Sequence, residues 1–154
     1  MYSKEEASAT KRKFWTTFGQ YLSPHLSAEG LKINWINYRT ELKHVLFKMD
    51  NIDKAAYIGI ELHHPDEGIQ GLFFEQFLEL KTYFHTIMEE EWIWQPLKFD
   101  DYTGKSISKI YITEPNLSVM KESDWPKLIQ FLKPRIIKLD EFWADAKYSF
   151  DALK

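Results

Sequence analysis

His44, Glu61 and His63 are the side chains whose types and spacing could do chemistry together. Imidazole nitrogens and carboxylate oxygens suit zinc, manganese or iron, and a carboxylate beside an imidazole can relay a proton. The pattern around them supplies a way to gather them. Residues 43–50 and 55–63 read as two strands about the turn-forming run Asn51-Ile52-Asp53-Lys54. With Val45 opposite Ile60, Phe47 opposite Ile58 and Met49 opposite Ala56, all six lie on one apolar face. The polar face then sets His44 opposite Glu61, with Cβ atoms within about 5.5 Å. His63 follows on that face, and His64 and Asp66 lie just beyond. The expectation is a catalytic or divalent-metal group at His44, Glu61 and His63, set against a hydrated polar strand face. No His-Glu-x-x-His spacing accompanies it.

Other chemistries find no foothold. The chain has no cysteine, which removes disulfides, thiolate catalysis and Cys-based zinc sites together. No Gly-x-Ser-x-Gly elbow occurs, and the six glycines are scattered, with no phosphate-cradling loop among them. Trp35, Tyr38, Trp92 and Trp94, placed on strands, are candidate binding residues, since a row of rings can stack bases or anchor a protein partner. A net charge of −3 and a pI near 6.0 weigh against a nucleic-acid footprint, which needs a basic stripe.

The elements that must position these groups can be read along the chain. At 154 residues, 44% of them hydrophobic and 16% aromatic, residues 1–154 make one domain with a bulky core. Phe14, Phe18, Tyr21 and Leu22 recur at helical spacing in a first helix from Ser3 or Lys4 to about Leu22. Residues 31–38 alternate as a strand. A long helix follows Asp66, a plausible cap by residue type, with a wide apolar stripe from Ile69 to Met88. Strands about residues 92–97 and 106–113 come next, and residues 116–120 form a short optional one. The last helix opens at Ser123-Asp124-Trp125-Pro126, contains Pro134 and runs to the end at roughly 45 Å. The expected fold class is α+β: an antiparallel sheet of about five strands packed by long helices, ordered α-β-β-β-α-β-β-(β)-α.

Helix, three antiparallel strands, helix, strand resembles the core order of the PD-(D/E)xK nuclease superfamily. That likeness implies a metal held between an Asp on the second strand and a Glu-x-Lys on the third. Asp50 and Glu61-Leu62-His63 mimic the spacing, but the lysine position holds His63. In the expected register Asp50 also opposes Ala55, roughly 20 Å from Glu61 at about 3.3 Å per residue. A second resemblance covers nearly the whole chain. The blocks Arg12-Lys13-Phe14-Trp15, Trp35-Ile36-Asn37-Tyr38, Ile58-Gly59-Ile60-Glu61-Leu62, Phe74-Glu75-Gln76-Phe77, Glu91-Trp92-Ile93-Trp94 and Asp124-Trp125-Pro126 resemble an uncharacterised bacterial family of stand-alone domains. Related domains end longer proteins whose first part looks like a nuclease. The resemblance implies an accessory role in DNA-related or defence processes and carries no catalytic residue over.

The expected function is therefore a non-catalytic protein-interaction or self-association module without a cofactor. Its partner would be another protein or a second copy, since the wide stripe and the long last helix suit a homodimer. The alternative is a metal-dependent nuclease-like or phosphoester hydrolase that uses a divalent metal at His44, Glu61 and His63. The polar start Met1-Tyr2-Ser3-Lys4 and the lack of an 18-residue apolar run lead to the expectation of a cytoplasmic protein without a membrane span.

Overall fold

The computed structural model describes residues 3–154, so the reading of the first two residues, Met1 and Tyr2, lies outside the described residues. Ser3 opens α1 (Lys4–Leu22): its Oγ accepts the Glu6 N–H at 3.0 Å, and Glu5 and Glu6 lie at the positive end of the helix dipole. Phe14, Phe18 and Leu22, four residues apart, form its buried face.

Residues 31–38 do not form the expected strand. Asn34 Oδ1 accepts the backbone N–H groups of Ile36 and Asn37, both at 3.1 Å, and this side-chain turn breaks the extended run. Trp35 is buried, with its Nε1 donating to the His25 carbonyl at 3.0 Å. The whole segment 23–44 is irregular and is tied instead to the last helix, α4 (Trp125–Ala146). Asp140 accepts the Ala28 N–H at 2.7 Å and the Tyr38 hydroxyl at 2.5 Å. Trp143 Nε1 donates to the Thr40 carbonyl at 2.9 Å.

The sheet has four antiparallel strands, fewer than expected, because residues 116–120 are not a strand either. They are β1 (Val45–Ile52), β2 (Ala55–Leu62), β3 (Ile93–Asp100) and β4 (Lys105–Pro115), arranged β1-β2-β4-β3. The register between β1 and β2 is two residues from the expected one: Val45 pairs with Leu62, Phe47 with Ile60 and Met49 with Ile58. The cause is the turn. Only Asp53 and Lys54 lie between the strands, and both are left-handed, φ 53° and 58°, as a type I′ hairpin turn requires. A slip of two keeps side-chain parity, so the apolar face still meets the helices.

The helices cover that one face. The expected long second helix is broken at Leu80 into α2 (Glu67–Glu79) and α3 (Lys81–Met88). Asp66 caps α2, accepting the Ile69 N–H at 2.9 Å. Gln70, fully buried, bonds α2 to the sheet: its Nε2 donates to the carbonyls of His64 and Ser106, and its Oε1 accepts from Ser108 at 2.6 Å. Pro134 lies within α4, which stops at Ala146 short of its expected length. Residues Lys147–Leu153 then turn as a 3₁₀ helix and lay Phe150 against Phe73 and Phe77. Among the described residues the order is α-β-β-α-α-β-β-α.

Asp140 holds the irregular segment, so Asp140→Ala strands the Ala28 N–H and the Tyr38 hydroxyl. A loss of about 2–4 kcal/mol in urea unfolding is expected, with faster amide exchange over residues 25–41. A loss below about 0.5 kcal/mol would show that Asp140 does not anchor the segment.

Candidate functional site

The face of the sheet away from the helices is built in rows. Leu46, Glu61, Lys109 and Gln95 are cross-strand partners in one row; Lys48, Gly59, Tyr111 and Ile93 in the next; Asp50, Tyr57 and Thr113 in the third. Along β2, Tyr57, Gly59 and Glu61 share this face because they are two residues apart. Gly59 is the gap that lets them interact. A Cβ there would lie 2.7 Å from both the Tyr57 hydroxyl and the Tyr111 Cβ. Through that gap Tyr57 donates to Glu61 Oε2 at 2.7 Å, while His63 Nε2 lies 2.8 Å from Oε1. Glu61 is 3% exposed, a buried carboxylate on a face without helices.

The rest of the site comes from β4 and the β3–β4 turn. Tyr111 stacks on Tyr57 with centroids 5.5 Å apart, and Lys109 Nζ lies 5.8 Å from each ring. Lys109 also donates to Asp100 Oδ1 at 3.1 Å. The register of β3 on β4 breaks between Gln95 and Lys98, around Pro96. Beyond that break Tyr102 reaches the other hairpin turn and donates to Asp53 Oδ2 at 2.5 Å. Lys48, Tyr57, Glu61, Asp100, Tyr102 and Lys109 line a cavity of about 280 Å³.

The electrostatics follow the hydrogen bonds. Burial pushes the Glu61 carboxyl up, but the hydrogen bonds from His63 and Tyr57 outweigh it and hold the group below its ordinary value. Burial, and then the negative Glu61, push the Tyr57 phenol far up. Asp100 is likewise held low: burial opposes, and Lys109 and Thr103 prevail. Tyr102 is pushed up to about 12, first by the hydrogen bond to Asp53. At neutral pH the site holds carboxylates and neutral phenols.

Of the three residues expected to converge, Glu61 and His63 do and His44 does not. Leu46 takes the place opposite Glu61. His44 precedes β1 in a left-handed conformation, φ 71°, and its ring meets His64 at 4.8 Å. Partial burial, then His64 and Lys43, lower the His44 imidazole. Among the described residues no three His, Asp or Glu side chains lie close enough to hold a metal ion. Asp50 pairs with Tyr57 rather than Ala55, four residues from Glu61, or about 13 Å at 3.3 Å per residue. The nuclease-like spacing along the chain is not a juxtaposition in the fold.

The aromatic candidates do not form a platform. Trp35 and Trp92 are buried, and Trp92 Nε1 donates to Glu90 at 3.0 Å. Trp94 packs edge-on against Phe74 and Phe84 on the helix side, and Tyr38 stacks on Phe47. Tyr57, Lys109 and Asp100 were not foreseen as site residues. The alternation Tyr57-x-Gly59-x-Glu61-x-His63 is the one local signal, a small residue between an aromatic and an acid on a shared strand face. A larger cavity, about 580 Å³, lies between segment 23–44 and α4. Within it Lys147 bonds Glu29 at 3.0 Å and Glu41 at 3.4 Å, Asp140 accepts from Ala28 and Tyr38, and Lys32 and Arg39 complete the charged lining.

An antiparallel α+β domain with a buried Glu-His-Tyr group on its helix-free face is the class that the geometry defines. Residues 10–147 match the family described as domain of unknown function DUF4268, and the chain belongs to that family. No curated protein and no solved structure matches it. No helix among the described residues is long and apolar enough to cross a membrane.

Gly59→Ala forces Tyr57 and Tyr111 apart, and a loss of about 1–3 kcal/mol in thermal or urea unfolding is expected; an unchanged midpoint would mean the gap is not needed. Because the folded Glu61 titrates below its ordinary 4.5, its contribution is complete above that value and fades as pH falls through the lower folded value. The stability gap between wild type and Glu61→Gln is therefore expected to shrink from about pH 7 to about pH 3. A gap independent of pH would contradict the ionised, hydrogen-bonded carboxylate.

Proposed function

We propose that this domain is a non-catalytic interaction module that presents the helix-free face of its sheet to a protein partner or to a second copy of itself. The observation that carries this reading is the engagement of Glu61. Each of its oxygens accepts a hydrogen bond, one from Tyr57 on its own strand and one from His63 just past the strand's end. A general base or a metal ligand must also present a lone pair to the reacting atom or the ion, and Glu61, 3% exposed, presents little surface to either. Glu61 instead ties the face together.

Around that tie the face carries apolar side chains suited to contact. Leu46 is 45% exposed, Ile93 52% and Tyr102 62%. Aromatic and aliphatic groups about a hydrogen-bonded polar centre are the composition of protein interfaces. An accessory role in DNA-related or defence processes belongs to this reading through the likeness of the sequence blocks to domains found beside nuclease-like proteins.

The test uses the tagged full chain and a Leu46→Glu/Ile93→Glu variant expressed in the source cells. A protein retained in stoichiometric amount by the wild type, and lost from the variant with its melting unchanged, is the expected outcome. Manganese- or zinc-dependent hydrolysis of a phosphodiester by the wild type, abolished in Glu61→Gln, would overturn the reading in favour of a hydrolase.

A further inference from the structure

The two edges of the sheet are built differently. β3 contains Pro96, which has no N–H to offer, and the register break between Gln95 and Lys98. Both features obstruct pairing with another strand. β1 has neither: Val45–Ile52 pairs with β2 in unbroken register, and no proline interrupts it. The His63 N–H donates to the His44 carbonyl at 2.8 Å, which fixes the phase of the ladder. Hydrogen-bonded pairs alternate, so the even-numbered residues of β1 turn their main-chain groups towards β2 and the odd-numbered ones turn theirs outwards. Phe47 and Met49 do so at the centre of the edge.

The side chains there are self-complementary. We propose that β1 pairs antiparallel with β1 of a second copy about a two-fold axis at Met49, joining two sheets into one continuous sheet. This rests on the interaction-module reading and names the partner. With the axis at Met49, the outward main-chain groups of Met49 face each other, as a hydrogen-bonded pair requires. Lys48 then opposes Asp50 of the second copy, Asp50 opposes its Lys48, and Leu46 opposes its Ile52. These are directly opposed positions on one face, where unlike charges attract and like charges repel.

Neighbouring registers fail on charge. An axis at Lys48 sets Lys48 against Lys48, and one at Asp50 sets Asp50 against Asp50. Within one chain Asp50 Oδ1 accepts the Asn51 N–H at 2.8 Å, whereas Oδ2 lies 3.8 Å from Lys48 Nζ, with side chains 33% and 37% exposed, so Oδ2 and the ammonium can change partners. Leu46, exposed in the single chain, gains an apolar neighbour. Opposed residues share a face, so the axis stands perpendicular to the sheet and the two helix-free faces join on one side. The proposed interaction surface is thereby doubled.

Sedimentation velocity of the full chain over a concentration series, at ionic strength near 0.1 M, tests the pairing. Wild type, Lys48→Asp, Asp50→Lys and the double exchange Lys48→Asp/Asp50→Lys are compared, with circular dichroism melts to confirm folding. A concentration-dependent dimer is expected. Each single reversal turns two attractive pairs into two repulsive ones and weakens it at least about tenfold. The double exchange restores it, because the pairs return with their signs exchanged. A chain monomeric up to about 0.5 mM, a range in which a stable pairing would be seen, overturns the pairing and leaves the module reading to partner capture. A dimer indifferent to both reversals but lost in Ile93→Glu also overturns it, and keeps the module reading with its contact on the face.

Discussion

The helix-free face depends on a turn of two residues. Asp53 and Lys54 both adopt left-handed backbone, and a hairpin closed by two such residues admits one register. That register sets Leu46 beside Glu61 and leaves His44 outside the strand. Left-handed backbone costs roughly 1–2 kcal/mol in a residue such as Lys54. Contacts at the turn offset it: the Lys54 carbonyl accepts the Leu117 N–H at 3.0 Å, and Asp53 accepts the Tyr102 hydroxyl. The second of these also carries the β3–β4 turn to the first hairpin, so one short turn positions both the polar group and its cover.

Upon that register the burial of a charge becomes affordable. A carboxylate taken out of water without partners costs several kcal/mol, and a cluster half satisfied is worse than an apolar one. Glu61 meets the condition through Tyr57 and His63, and Gly59 provides the space that the Tyr57 ring needs. Lys109 and Asp100 form an ion pair beside it. The polar groups satisfy one another, and the exposed apolar residues at the rim remain for contact. The same economy holds on the helix side, where Gln70, Asp140 and the Glu90–Arg135 pair each tie distant segments through buried or half-buried polar groups.

Much of this architecture was legible wherever its cause was local. The bounds of α1, the Asp66 cap and the proline start of α4 follow from residues within a turn of the feature they determine. The apolar faces of β1 and β2 were legible because parity survives a slip of two. The slip itself was not, because nothing in Asn51-Ile52-Asp53-Lys54 announces which two residues will turn left-handed without a glycine. Residues 31–38 alternate like a strand, yet the Asn34 side chain and the burial of Trp35 outweigh that pattern. In the candidate site Glu61 and His63 were visible as strand neighbours. Lys109 was not, since the pairing of β2 with β4 spans about fifty residues and leaves no mark in either segment.

The central claim is that Glu61 is an ionised tie and not a poised acid. Carbon-detected NMR of the Glu61 carboxyl through an acid titration tests it most directly. The account predicts a carboxylate at neutral pH whose midpoint falls below the ordinary 4.5. A midpoint raised towards neutrality would contradict it, since burial would then prevail over the hydrogen bonds and Glu61 would be poised for proton transfer.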